Sequence, residues 1–126
     1  MTKLPPIFAS LALLAVSSLP AWSDEITWDA RGKPLRICSA VQKNVRFMYN
    51  ALGNGATDTY ADMKAHMRNV LSGKGEPEDR LRQVYEHILG RIEAGEFSPP
   101  REEKGEGQLK ARNTAGTLCL KAFPDG

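Results

Sequence analysis

Pro77-Glu78-Asp79-Arg80-Leu81-Arg82-Gln83-Val84-Tyr85-Glu86-His87-Ile88-Leu89-Gly90-Arg91-Ile92-Glu93-Ala94-Gly95 is the stretch that decides the fold class. Leu81, Val84, Tyr85, Ile88, Leu89 and Ile92 recur at three- and four-residue spacing, the period of one helix face. Pro77 suits the first helical position, where its missing N–H costs nothing. Glu78 and Asp79 put negative charge in the first turn and Arg91 puts positive charge near the end, both favourable to the helix dipole. Gly95 is the natural stop. A helix this broadly apolar on one side must bury that side against other elements.

The same period appears upstream. Ile37, Val41, Val45, Met48 and Leu52 mark an amphipathic helix from about Leu35 to Leu52, ended by Gly53-Asn54-Gly55. Tyr60, Met63, Met67, Val70 and Leu71 form the next stripe, stopped at Gly73. Thr59 with Asp62 resembles a capping box for that helix, and Asp58 is a rival cap. Residues 24–34, with Gly32 and Pro34, read as an irregular lead-in.

Downstream, residues 96–108 are polar, with Pro99-Pro100, Gly105 and Gly107, and read as an exposed linker, with a short charged helical turn within it as the alternative. Leu109, Ala115, Leu118, Cys119 and Ala122 share a helix face, which predicts a short fourth helix. Thr114, Gly116 and Thr117 lower its helix propensity, so an extended run over Leu118 to Phe123 is the alternative. No internal repeat is visible. The expectation is an all-α domain over residues 24–126, a small three- to four-helix bundle.

The amino terminus bears on where such a bundle works. Lys3, an apolar run from Ile7 to Val16 and the small-x-small pattern Ala21-Trp22-Ser23 read as a cleaved secretory signal peptide over residues 1–23. A membrane span needs about 20 apolar residues, and Pro5, Pro6, Pro20 and several serines bound or interrupt this run. Export is expected: to the periplasm in a Gram-negative bacterium, otherwise outside the cell. Removing Lys3 with the signal leaves 16 basic residues against 15 acidic ones. That near-neutral balance argues against a dedicated nucleic-acid binder, which needs a clustered basic surface.

Two cysteines remain, Cys38 and Cys119. In an oxidising compartment an even pair implies a disulfide, here with one possible intramolecular connectivity. It would staple the last element to the start of the first helix. The sequence contains neither C-x-x-C nor C-x-x-C-H, so thioredoxin-type exchange and covalent haem attachment are not expected.

Chemistry-bearing patterns are sparse. His66 stands four residues after Asp62, a spacing that lets a carboxylate hold one imidazole nitrogen, or that makes an ordinary surface pair. His87 falls on the polar side of its helix. Met63, His66 and Met67 on one helical turn offer two thioethers and an imidazole, a donor set suited to a soft ion such as Cu(I). Met63 and Met67 also fall on the stripe that must form the core, where methionine fills gaps. No G-x-S-x-G or phosphate loop occurs, and a disulfide removes both thiols as nucleophiles. Carboxylate pairs such as Glu78-Asp79 and Glu102-Glu103 read as solvated. A non-enzyme without cofactor is therefore expected.

A basic side remains on the first helix. Lys33, Arg36, Lys43 and Arg46 cluster opposite its apolar stripe, and Phe47 projects close to them. Either Phe47 is an exposed aromatic anchor for an acidic protein, an anionic lipid or a cell-wall polymer, or it packs beneath another helix or the lead-in around Trp28. The favoured functional class is a binding or interaction module of inhibitor, immunity or adaptor type, with another envelope or secreted protein as partner. The alternative is a periplasmic copper handler using Met63, His66 and Met67.

Overall fold

The computed structural model describes residues 27–97 and 105–124. The expected signal peptide lies outside the described residues. Four helices follow in chain order: α1 (Pro34–Gly53), α2 (Thr57–Leu71), α3 (Glu78–Glu93) and α4 (Glu106–Ala122). No strand occurs among the described residues, and a disulfide joins Cys38 to Cys119, so the expected all-α bundle with one long-range staple is present.

The helix ends explain the tight connections. After α1 the Gly55 N–H bonds the Leu52 carbonyl at 3.2 Å and the Ala56 N–H bonds the Ala51 carbonyl at 2.8 Å, a Schellman arrangement. It requires a left-handed residue, and Gly55 supplies it at φ +84°. α3 ends in the same way, with Gly95 at φ +81° and the Glu96 N–H on the Arg91 carbonyl at 3.2 Å.

Two expected helix starts differ. α2 begins at Thr57 after Ala56, and neither Thr59 nor Asp58 caps it with a side-chain hydrogen bond. The reason is that Ala56 already closes the α1 cap, so the chain turns straight into the next helix. Pro77 stands one position before α3 rather than inside it, and its carbonyl accepts the Leu81 N–H at 3.1 Å.

The core is one cluster built from the stripes of α1, α2 and α3. Val41, Val45, Met48, Met63, Met67, Leu71, Leu81, Tyr85, Ile88 and Leu89 are almost wholly buried. The lead-in joins this core without regular structure. Trp28 and Ala30 are buried, and Trp28 stands edge-on to Tyr85 with ring centroids 5.2 Å apart. Asn44, fully buried, donates its amide to the Thr27 carbonyl and, at 2.8 Å, to the Tyr85 hydroxyl. Burial pushes the Tyr85 pKa up, although the Asn44 hydrogen bond opposes the rise. Glu78, expected on a solvated turn, is instead buried, and its carboxylate meets Arg31 of the lead-in at 2.9 Å.

α4 departs most from expectation. It starts at Glu106, so residues 106–108 are helix rather than linker. Its buried face is Gly107, Ala111, Ala115, Gly116 and Cys119, while Leu109 and Leu120 are exposed. Of the expected face, Ala115 and Cys119 are buried and Leu118 and Ala122 pack partly buried against the core, but Leu109 is exposed. The buried positions are small because α4 lies close against α1: a Cβ on Gly116 would come within 2.8 Å of the Gln42 Cδ. Small residues at four-residue intervals let two backbones approach, and the helix interior accommodates Thr114, Gly116 and Thr117 because that packing outweighs their low propensity.

Candidate functional site

α1 and α4 run antiparallel in a simple register. Cys38 meets Cys119, Gln42 meets Arg112 and Gly116, and Asn50 meets Gln108. Each four-residue step forward on α1 is answered by about four residues backward on α4, the spacing of one helix ridge. The Cys38–Cys119 bond, with a Cα–Cα distance of 5.5 Å and both residues buried, holds one end of this pair. At the other end the Arg46 guanidinium donates to the Gln108 side chain at 2.9 Å, and Gln108 donates to Asn50.

The outer seam between the helices is a shallow cleft. Lys43 and Arg46 of α1 and Arg112 of α4 line it together with Ser39 and Gln42, around about 250 Å³. Arg112 was not singled out from the sequence. Once the disulfide sets an antiparallel register, counting inward from Cys38 and Cys119 brings residue 112 beside the turn of α1 between Gln42 and Arg46. Arg36 lies elsewhere, in a depression with Thr27, Asp29, Arg31, Ile37 and Ala40. Phe47 is half-buried and packs against the core, so it is not an exposed anchor.

Charge is distributed unevenly over the bundle. α1 carries Arg36, Lys43 and Arg46 and no carboxylate. α4 carries Lys110, Arg112 and Lys121 against Glu106 alone. Among the described residues every cation of α2 and α3 is in an ion pair: Lys64–Glu93, Arg68–Glu86, Arg80–Glu76, Arg82 with Asp79 and Glu86, and Arg91–Glu96. Lys43, Arg46 and Arg112 take part in none of the ion pairs among the described residues. Uncompensated cations in a concave seam produce a positive local potential despite the near-neutral total.

The opposite side of the bundle is electrostatically closed. Tyr60 of α2 donates its hydroxyl to Glu93 of α3, and the Lys64 ammonium reaches the same carboxylate at 2.6 Å. Burial and the Glu93 hydrogen bond both push the Tyr60 pKa up. For Glu93 itself burial acts upward, but the bonds from Lys64 and Tyr60 outweigh it and leave the carboxyl below its ordinary value.

The soft-metal residues are placed differently from a metal cup. Met63 and Met67 are fully buried among apolar side chains. His66 is exposed on the neighbouring side of α2, edge-on to Trp28 with ring centroids 6.4 Å apart. The two thioethers and the imidazole therefore do not open onto a common accessible pocket. No cluster of three or more His, Cys, Asp or Glu side chains with metal-binding geometry occurs among the described residues. His87 is exposed on α3. No helix among the described residues is long and apolar enough to cross a membrane.

No family model, curated protein or solved structure matches this chain.

Proposed function

We propose that this protein is an exported, non-catalytic binding module that docks an acidic surface of another envelope or secreted protein on its α1–α4 face. The observation that carries the reading is the seam of Lys43, Arg46 and Arg112, three cations on two helices with no carboxylate paired to them among the described residues. On α2 and α3, by contrast, the lysines and arginines are neutralised locally. A positive seam left open favours a negative partner, accelerates its encounter and disfavours positive ones. Inhibitor, immunity and adaptor proteins all work by such stoichiometric docking.

Export follows from reading residues 1–23 as a signal peptide, and a buried disulfide suits an oxidising compartment. The disulfide and the core confer the rigidity that a docking surface needs, because little conformational entropy is then lost on binding.

Affinity capture from an envelope extract tests the proposal. The wild-type protein is expected to retain a stoichiometric partner at low salt. Lys43→Glu with Arg46→Glu is expected to lose it while melting as the wild type does. Retention of every captured partner by the folded, charge-reversed protein rules the face out.

A further inference from the structure

We infer that the seam between α1 and α4 is a directional groove for an acidic, amphipathic segment of the partner, seating an apolar side chain at one end and carboxylates at the other. The inference deepens the binding-module reading and rests on it. The basic cleft is only half of the seam. A second depression of about 340 Å³ adjoins it, and the two share Ser39 and Gln42. The second half is bordered by Leu35 and Leu120, which are 77% and 44% exposed.

The groove is therefore polarised along its length. Leu35 and Leu120 make an apolar end, and Lys43, Arg46 and Arg112 make a cationic end. Between them Gln42, with Ser39 and Asn113, offers amide and hydroxyl groups suited to a partner's main chain. From Leu35 to Arg46 α1 rises about 16 Å. That length matches about five extended residues, or about three turns of helix. Guanidinium groups recognise carboxylates in a bidentate fork, which fixes where the acidic residues must sit.

Other occupants fit less well. A second copy of this chain docking through the same face would bring the three cations and no carboxylate of α1 against a face of the same sign. A flat anionic membrane would meet the leucines and the cations but offers no backbone N–H groups to the amide and hydroxyl oxygens of Gln42, Ser39 and Asn113 between them. A peptide segment satisfies all three parts of the groove together.

Selection of random peptides displayed on bacteriophage, against the full exported protein with its disulfide formed, tests the inference. Enriched peptides are expected to carry an apolar residue separated from a cluster of acidic residues. Arg46→Glu with Arg112→Glu is expected to weaken them at least tenfold, and Leu35→Ser with Leu120→Ser to remove the apolar preference alone. Raising salt on the wild type is expected to weaken the same peptides, which reads the charge contribution without any variant. Enriched peptides lacking acidic residues, or indifferent to charge reversal and salt, overturn the inference. Sedimentation with phosphatidylglycerol vesicles but no enriched acidic peptide also overturns it, in favour of a lipid surface. A captured protein partner that is lost on charge reversal, alongside a selection without the acidic–apolar pattern, sinks only the direction assigned here. A captured partner indifferent to charge reversal sinks the binding-face reading itself.

Discussion

Gln42 lies across Gly116. Its amide nitrogen donates to the Arg112 carbonyl at 3.3 Å, and its Cδ occupies space that a Cβ at position 116 would enter, at 2.8 Å. This contact couples helix packing to the floor of the groove, because the same glutamine lines both halves of the seam.

The coupling is measurable by a double-mutant cycle. In a Gln42→Ala background, Gly116→Ala is expected to stabilise by about 1 kcal/mol, the helix-propensity difference between glycine and alanine. In the wild type that gain is expected to vanish, because Gln42 must swing away and lose a hydrogen bond worth about 0.5–1.5 kcal/mol. Urea unfolding of the four proteins checks it. The same gain in both backgrounds would show that Gln42 does not hold this position.

The disulfide closes a loop across a sequence separation of 81 residues. On the chain-entropy estimate, Cys38→Ala with Cys119→Ala is expected to cost about 4–5 kcal/mol. Against a typical total of about 5–15 kcal/mol, the variant should unfold at much lower urea or not fold stably at all. Since both cysteines are buried, mild reductant is expected to act on the wild type only as fast as the protein opens. Peptide mapping with thiol labelling at increasing urea reads this directly.

Acid should weaken the α2–α3 side. The Glu93 carboxyl is held below its ordinary value of 4.5, with Lys64 and Tyr60 bonds outweighing the upward push of burial. A depressed folded-state pKa gives stability that is present above the unfolded value and is lost as pH falls through the folded one. Unfolding free energy is therefore expected to drop as pH falls below about 4.5, and Glu93→Gln is expected to flatten part of that drop. Urea midpoints from pH about 6 to about 3 test it. An unchanged slope in the variant would remove Glu93 as a contributor.

Asn44 ties the lead-in to the core through the Thr27 carbonyl and the Tyr85 hydroxyl. Tyr85→Phe removes one partner and is expected to cost about 0.5–1.5 kcal/mol. Asn44→Ala leaves a carbonyl and a hydroxyl without their donor and opens a small cavity, so about 2–4 kcal/mol is expected. It should also speed protease cleavage around residues 27–33. Equal protease resistance in the two variants would show that Trp28 packing alone secures the lead-in.

The three long apolar stripes were legible in the sequence because each buries large side chains at helical spacing. Leu81 to Ile92, Ile37 to Met48 and Tyr60 to Leu71 need no knowledge of their neighbours to declare a helix face. Gly55 and Gly95 announced the helix ends for a similarly local reason, since a left-handed turn favours glycine. The Cys38–Cys119 bond needed only the count of cysteines and the expectation of export.

The groove was not legible in this way. Its parts, Leu35 and Gln42 on α1 and Arg112 and Leu120 on α4, stand about seventy or more residues apart in sequence. On α4, Ala115 and Cys119 were legible, but Leu109 was misplaced and Gly107, Ala111 and Gly116 were missed, because the buried residues are small and the exposed ones include Leu109 and Leu120. Apolar periodicity records how much a residue gains by burial, not how closely two backbones approach. The basic residues of α1 could be named from the sequence. Whether their charges were neutralised depended on which helix lay beside them, and α4 brought Arg112 rather than a carboxylate. Local chemistry thus settled the helices and the staple, while the antiparallel seating of α4 on α1, a non-local packing choice, created the polarised seam.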